Sequence, residues 1–237
     1  MGLPQQPLED VGGWRFESKM LQAVVFDYNG LLIDDLKLLE EAYWQAAHNL
    51  GFELSRERVR RFLNYPATHK KQLYFGDIAE QSWRAIFNLK EKYYYEQAGK
   101  QTLLFPEVEP VLTCLADRYV LALLSNTYRS LFERTFPAHL ARLFRETRFA
   151  DELAIPKPSP EPLRALIHAL GVSPGECCYV GDAVTDVQMA RAAGVTIFAV
   201  ATGVHSGAEL RAAGADWVAA NLSEMAAQIE SFRRSQP

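Results

Sequence analysis

The sequence predicts an α/β fold in which a parallel sheet is interrupted, directly after its first strand, by a helical insert. Short apolar runs that end at a polar or small residue recur along the chain, which is typical of strands covered on both faces. Helical patterns alternate with these runs, as in a parallel sheet. Residues 36–105 break the alternation with three consecutive helical patterns. The fold prediction rests on these three observations.

Five apolar runs are the predicted strands. They are QAVVFD ending at Asp27, YVLALLS ending at Ser125, CCYVGD ending at Asp182, TIFAVA ending at Ala201, and DWVAA around Val218. Two of the helical patterns between them have readable ends. SPEPLRALIHALG has Ser159 as its predicted N-cap, Pro160 in its first turn and Gly171 as its stop, and TDVQMARAAG stops at Gly194.

The insert contains the patterns LKLLEEAYWQAAHNLG, SRERVRRFL and AEQSWRAIFNLKEKYYYEQAG. Its three successive tyrosines, residues 93–95, cannot share one side of a helix, and packing is their favoured role over ligand contact. We therefore divide the chain into a loose extension at residues 1–19, a core of residues 20–35 and 106–237, and a helical cap at residues 36–105.

Composition excludes several function classes. The 237 residues carry a formal net charge of -4 with scattered basic residues, which argues against a nucleic-acid or membrane-surface stripe. No run is long enough to span a bilayer, and the first nineteen residues lack the apolar core of a secretory signal. Three cysteines form neither a disulfide set nor a metal pair, and we expect them to be small buried residues. We expect a soluble cytoplasmic protein, and the sequence does not predict its oligomeric state.

Polar residues close three of the predicted strands, where ligands gather in an open parallel sheet. These are Asp27, Ser125 and Asp182, and Asp186 follows one helical turn after Asp182. Lys157 lies between two prolines in IPKPSP. Three carboxylates, a hydroxyl and an ammonium suit a Mg²⁺ ion beside a bound phosphate.

Four motifs carry a family resemblance: DYNGLLID, LLSNT, IPKPSPEP and VGDAVTD, in this order and each after the appropriate strand. The chain resembles the haloacid dehalogenase superfamily of hydrolases, with a helical cap of the phosphoglycolate phosphatase and β-phosphoglucomutase kind. The resemblance covers about residues 20–230. It implies a Rossmann-like core and an active cleft beneath the cap.

The resemblance implies a role for each motif residue. Asp27 matches the nucleophile that forms an aspartyl-phosphate, Ser125 the hydroxyl that binds the transferring phosphoryl group, and Lys157 the cation that neutralises it. Asn126, next to Ser125, is expected to bind substrate.

The implied metal site uses other atoms of the same motifs. Asp27 and Asp182 match carboxylate ligands of Mg²⁺, and Asn29 matches the position that contributes its backbone carbonyl. Asp186 is expected to be a further ligand or to support the site.

Asn29 departs from the family pattern, which has Asp there to protonate the leaving oxygen and to activate water. An amide cannot transfer a proton near neutral pH, so we expect a loss of about 10² to 10⁴ in rate. Four explanations stay open: a trapping mutant, a naturally slow phosphatase, a binding protein without turnover, or chemistry that needs no acid at this position. Leu31 also departs from the pattern, which favours natural drift.

The fourth explanation has a specific form in phosphonoacetaldehyde hydrolases, where a cap lysine forms a Schiff base with the substrate. The cap segment NYPATHKKQLYFG offers Lys70 and Lys71, with His69 beside them, but it lacks the expected preceding glycine. We favour phosphate steering or a solvated basic loop, and expect these three residues near the substrate.

The function predicted from the sequence is Mg²⁺-dependent hydrolysis of a small phosphate monoester through Asp27, slowed by Asn29. The alternatives are a pseudo-phosphatase that binds a phosphate-bearing ligand or a partner, and a phosphonatase-like C–P hydrolase.

Overall fold

The computed structural model describes residues 20–63, 71, 76, 78–100 and 103–236. Its six strands are β1 Ala23–Phe26, β2 Val120–Leu124, β3 Phe144–Arg148, β4 Cys177–Gly181, β5 Thr196–Val200 and β6 Trp217–Ala219. They form one sheet in the order β3-β2-β1-β4-β5-β6, and every neighbouring pair is parallel. The predicted parallel sheet is confirmed, with β1 at its centre.

Ten α-helices lie within the described residues. They are α1 Leu36–Asn49, α2 Arg56–Leu63, α3 Glu80–Ala98, α4 Val108–Ala116, α5 Arg129–Thr135, α6 Ala138–Ala141, α7 Glu161–Leu170, α8 Val184–Ala193, α9 Gly207–Ala212 and α10 Leu222–Ser235. None of these helices is both long enough and apolar enough to cross a membrane.

The strands bury side chains on both faces of the sheet, as their unbroken apolar runs require. Alternate residues of β1 show this division. Val24 and Phe26 belong to the core that α4, α5 and α10 cover, whereas Ala23 and Val25 belong to the core beneath α7, α8 and α9. Because all neighbouring strands are parallel, their carboxyl ends lie at one edge of the sheet, and the polar residues that follow the strands emerge there.

The helices α1, α2 and α3 follow β1 and precede β2, as the sequence predicts. Residues of α1 and α2 form a separate small core around Tyr43 and Val59. Tyr94 of α3 is buried while Tyr93 and Tyr95 are partly exposed, so the three tyrosines do face different sides. The placement of the helical insert is confirmed, and its limits at residues 36 and 105 stay a prediction.

Three details differ from the sequence expectations. The strand β3 was not predicted, because FRETR at the sheet edge lacks an apolar run. The helix α7 has Pro160 as its N-cap, so the predicted cap at Ser159 was wrong by one residue; its stop at Gly171 is confirmed by a left-handed C-cap with φ of 74°. Cys177 and Cys178 are buried as expected, but Cys114 is exposed.

Candidate active site

The register of the sheet brings three polar residues to one edge. Phe26 lies beside Leu123 of β2 and Val180 of β4. Asp27, Ser125 and Asp182 come directly after these three strands and are each buried, with 7%, 1% and 5% exposure. The structure therefore brings these three strand-end residues together at one edge of the sheet.

Asp186 joins the cluster from the first turn of α8. One carboxylate oxygen of each of Asp27, Asp182 and Asp186 lies within 4.8 Å of the others. The Oδ2 atom of Asp186 also accepts a hydrogen bond from the backbone N–H of Ala183 at 3.1 Å. This bond caps the helix and fixes the orientation of the carboxylate.

Lys157 points into the same cluster. Its Nζ atom lies 2.7 Å from Asp27 Oδ1 and 2.8 Å from Asp186 Oδ1, and it also donates to the hydroxyl of Tyr179 at 3.2 Å. The Tyr179 hydroxyl donates in turn to the carbonyl of Leu124. The lysine is thus held among two carboxylates and a phenol, with its side chain only 4% exposed.

Asn126 fixes the loop that carries Lys157. Its Nδ2 donates to the carbonyl of Lys157 at 3.2 Å, and its Oδ1 accepts from the backbone N–H of Lys157 at 3.0 Å. Asn126 lines the cleft and is otherwise exposed. Its observed contacts position Lys157, and its predicted role in substrate binding stays a prediction.

Burial and the charges of neighbouring carboxylates raise the pKa of Asp27 and of Asp182 in this cluster. Burial raises the pKa of Asp27 to about 6, against the opposing effect of the Lys157 charge. Burial and the neighbouring charges of Asp186 and Asp27 raise the pKa of Asp182 well above its usual range. For Lys157, burial acts to lower the pKa, but the charges of Asp186 and Asp27 outweigh it and the pKa is raised. The cluster has an excess of negative charge that a cation would offset.

The cluster has features suited to a divalent cation. Asp27 Oδ1 is buried and makes no contact with hydrogen-bond geometry, although Lys157 Nζ is close. Asp182 lies in a cradle of two glycines: a Cβ atom added at Gly203 would come within 1.6 Å of Asp182 Oδ2, and one at Gly30 within 2.5 Å. Buried carboxylate oxygens of this kind are the ligands that Mg²⁺ prefers, so the residues present fit a metal ion.

Asn29 is held by a hydrogen-bond network that uses both atoms of its amide. Its Nδ2 donates to Asp35 Oδ2 at 2.6 Å and to the Tyr94 hydroxyl at 3.2 Å. Its Oδ1 accepts from the Thr127 hydroxyl at 2.6 Å. The Tyr94 hydroxyl also donates to Asp35 Oδ2, and the backbone N–H of Gly30 donates to Asp35 Oδ1. A carboxylate at position 29 could not donate as this amide does.

Burial raises the pKa of Asp35, while the hydrogen bonds from Tyr94, Asn29 and the Gly30 backbone act in the opposite direction. Asp35 directly precedes α1, and its side chain makes no capping bond to that helix. The carboxylate of Asp35 is instead directed towards Asn29, in the turn after β1.

A cleft of about 690 Å³ opens above the cluster, between the sheet edge and the helical insert. The insert contributes apolar and aromatic side chains together with Lys90 and Glu91; the aromatic ones are Tyr43, Phe87, Tyr94 and Tyr95. Of the predicted cap residues, Lys71 forms an ion pair with Glu80 at 2.7 Å and does not line the cleft. His69 and Lys70 lie outside the described residues, so their placement near the substrate stays a prediction.

Sequence reasoning did not identify Asp35, Lys90, Tyr94 or Gly203. Asp35 is the second of two adjacent acidic residues, Asp34 and Asp35, and such a pair before a helix is typical of a solvated helix start. Lys90 is one of several lysines in α3, and helical periodicity alone does not show that its ammonium group is buried. Gly203 stands in a loop, where glycine is unremarkable until its distance from Asp182 is known.

Comparisons with known proteins agree with this architecture. Residues 21–194 match the family model of the haloacid dehalogenase-like hydrolases. The phosphoglycolate phosphatase of Vibrio parahaemolyticus is 28% identical over 219 residues, which cover 86% of this chain and 94% of that protein.

Two solved structures share the fold. A hydrolase from Pseudomonas syringae aligns with a TM-score of 0.77 at 18% identity, over 90% of this chain and 99% of that chain. CbbY from Rhodobacter sphaeroides, in complex with xylulose-(1,5)bisphosphate, aligns with a TM-score of 0.71 at 22% identity, over 86% and 96% of the two chains. The family match covers most of the sheet and all of the insert. The chain therefore belongs to the haloacid dehalogenase-like hydrolases.

Proposed function

We propose that this protein is a Mg²⁺-dependent phosphatase of a small phosphate monoester, acting through an aspartyl-phosphate on Asp27. The observation that carries the proposal is the position of Lys157 Nζ, 2.7 Å from Asp27 Oδ1, inside a cluster of three buried carboxylates. A fixed cation beside a carboxylate nucleophile suits attack on a dianionic phosphoryl group. The similarity to phosphoglycolate phosphatases supports the same reaction class.

In the first step an oxygen of Asp27 forms a bond to phosphorus while the ester P–O bond breaks, and the electron pair leaves with the alcohol oxygen, which takes up a proton from solvent water. In the second step water attacks the aspartyl-phosphate, loses a proton, and releases inorganic phosphate and free Asp27. Two easier displacements thus replace one difficult hydrolysis.

The neighbouring side chains position the phosphoryl group. Lys157 neutralises charge on its oxygens, and the Ser125 hydroxyl, at the end of β2, donates to one of them. Asn126 holds the backbone of Lys157 by two hydrogen bonds and thereby fixes where the ammonium group points. Positioning of this kind accounts for much of the catalysis of phosphoryl transfer.

A Mg²⁺ ion would be held by the carboxylates of Asp27 and Asp182 and the backbone carbonyl of Asn29, with Asp186 as a further ligand or support. When bound, it would neutralise negative charge between the nucleophile and the phosphate.

Asn29 makes the enzyme slow in this proposal. Its amide is fully hydrogen-bonded to Asp35, Tyr94 and Thr127, and it has no proton to give to a leaving alkoxide. The same observation favours one alternative, a protein that binds a phosphate-bearing ligand without turnover.

Steady-state turnover of a panel of phosphorylated metabolites, with and without Mg²⁺, tests the proposal against an Asp27→Ala control. Turnover that depends on both Asp27 and Mg²⁺, with a phosphorylated Asp27 peptide seen by mass spectrometry after acid quench, is the expected result. Binding of phosphate esters without any such turnover would instead establish the alternative.

A further inference from the structure

The insert side of the cleft holds a buried ammonium group. Lys90 of α3 is 5% exposed. Its Nζ atom lies 4.4 Å from the ring centre of Phe87 and 4.9 Å from that of Tyr43. Burial lowers the pKa of Lys90. A buried lysine in a ligand cleft invites the interpretation that it binds a second anionic group of the substrate.

The charges around Lys90 argue against that interpretation. Its Nζ atom forms an ion pair with the carboxylate of the adjacent Glu91, and the charges of Glu91 and Asp35 both act to raise its pKa against the effect of burial. Among the described residues that line the insert side of the cleft, Lys90 is the only cation. With Glu91 and Asp35 beside it, this end of the cleft has no net positive charge to offer a second anion.

The rest of the insert side is suited to an uncharged group. Tyr43, Phe87, Tyr94 and Tyr95 present aromatic surface, and leucines extend the apolar lining. Aromatic faces with a few polar groups are typical of pockets for neutral organic ligands. A cleft of about 690 Å³ also has room for a leaving group much larger than two carbons.

We propose that Glu91 is a specificity-determining residue: by neutralising Lys90, it makes the cleft select a phosphate ester whose leaving group is an uncharged alcohol over one that carries a second anion. The inference rests on the proposed phosphatase function and narrows its substrate class. It distinguishes this chain from its phosphoglycolate phosphatase relatives, because the substrate in their name bears a carboxylate.

The test compares 2-phosphoglycolate with ethyl phosphate, which replaces the carboxylate by a methyl group. We measure kcat/KM for both esters and follow the ratio of 2-phosphoglycolate to ethyl phosphate, so that differences in leaving-group reactivity cancel between variants. Glu91→Gln removes the carboxylate that forms the ion pair with Lys90, and an anionic substrate can then take its place. The ratio should rise by about tenfold or more.

The control is Glu96→Gln, at an exposed glutamate of the same helix whose Oε1 lies 4.0 Å from Lys92 Nζ. Its ratio should equal that of the wild type. An unchanged or lower ratio in Glu91→Gln overturns the proposal.

The double variant Lys90→Met/Glu91→Gln replaces the ion pair, whose net charge is zero, by two uncharged side chains. It keeps the proposal testable if the single variant does not fold. Its ratio should stay close to that of the wild type. A fall of about tenfold would mean that Lys90 already binds the substrate anion, and would also overturn the proposal.

Calorimetric binding of both esters to Asp27→Ala, with and without Glu91→Gln, separates this inference from the proposed function. A shifted ratio of dissociation constants without turnover in the Asp27-containing protein supports the inference and refutes the phosphatase. Turnover together with an unchanged ratio of dissociation constants refutes the inference and supports the phosphatase. Binding of neither ester to either variant counts against the inference.

Discussion

The side-chain amide of Asn29 donates a 2.6 Å hydrogen bond to the buried carboxylate of Asp35. These two residues form a matched pair of one donor and one acceptor, and the Tyr94 hydroxyl completes it by donating to Asp35 and accepting from Asn29. Restoring the family carboxylate at position 29 would therefore place two carboxylates in contact. Such pairs share a proton, and the pKa of one member rises strongly.

Exchanging the pair should restore acid-base catalysis more completely than restoring Asp alone. We expect Asn29→Asp/Asp35→Asn to hydrolyse alkyl phosphates about 10² to 10⁴ faster than the wild type. Asn29→Asp alone should gain less, because a carboxyl that shares its proton with Asp35 is a poor base for the attacking water. Profiles of kcat against pH distinguish the variants. Asp34→Asn, at the exposed neighbour, controls for charge, and identical profiles for the single and double variants would refute the coupling.

The stability of the metal-free protein should fall as the pH rises from about 4 to about 6. Burial raises the pKa of Asp27 to about 6, so in this window the folded protein holds a proton that the unfolded chain releases. One such group changes the free energy of unfolding by up to about 1.4 kcal/mol per pH unit. Saturating Mg²⁺ favours the ionised carboxylates and should stabilise the protein more at pH 7.5 than at pH 5.

Urea unfolding in EDTA and in Mg²⁺, at both pH values, measures this effect. Asp27→Asn should lessen the pH dependence in EDTA, and the raised pKa values of Asp182 and Asp35 account for the part that remains. Equal stabilisation by Mg²⁺ at the two pH values would argue against a metal site at these carboxylates.

Gly203→Ala should weaken metal binding without unfolding the protein. The added Cβ would come within 1.6 Å of Asp182 Oδ2, so the carboxylate has to move from its cradle. Displacing a ligand in this way should cost about 10- to 100-fold in Mg²⁺ affinity, measured by calorimetry. Gly175→Ala is the matched control, because nothing lies within 4 Å of a Cβ at that position. Equal affinity in the two variants would exclude Asp182 as a ligand.

Lys157→Met should destabilise the metal-free protein by about 3 to 5 kcal/mol, because it leaves two buried carboxylates without their cation. The side chain of Lys157 is 4% exposed and lies within 2.8 Å of both Asp27 and Asp186. Lys92→Met, on the exposed side of α3, should change little. A loss that Mg²⁺ does not reduce would indicate that the metal does not bind near Asp27.

The part of the site at the sheet edge could be predicted from the sequence, because each of its polar residues directly follows a strand in the chain. An apolar strand followed by a polar residue fixes where that residue emerges, and this is enough to bring Asp27, Ser125 and Asp182 together. Lys157 was expected in the site on other grounds, because IPKPSP resembles a family motif and not because a predicted strand ends beside it. By contrast, β3 has the mixed composition of an edge strand, and no apolar period marks it.

The insert side of the site could not be predicted, because its contacts join residues far apart in the chain. The Tyr94 hydroxyl reaches Asp35 across 59 positions, and the amide of Asn29 meets Thr127 across 98. Only folding shows that Lys90 lies over two aromatic rings beside Glu91. The sequence suggested that Asn29 lacked a catalytic proton, and the structure adds that the amide has partners suited to it.

Asp35 stands at the start of α1 while its carboxylate holds Asn29 and accepts from Tyr94 of α3. The first turn of the core and the two long helices of the insert are therefore tied at one carboxyl group. A lineage that recovers a carboxylate at position 29 gains more when position 35 or 94 also changes, so we expect positions 29, 35 and 94 to change together among descendants.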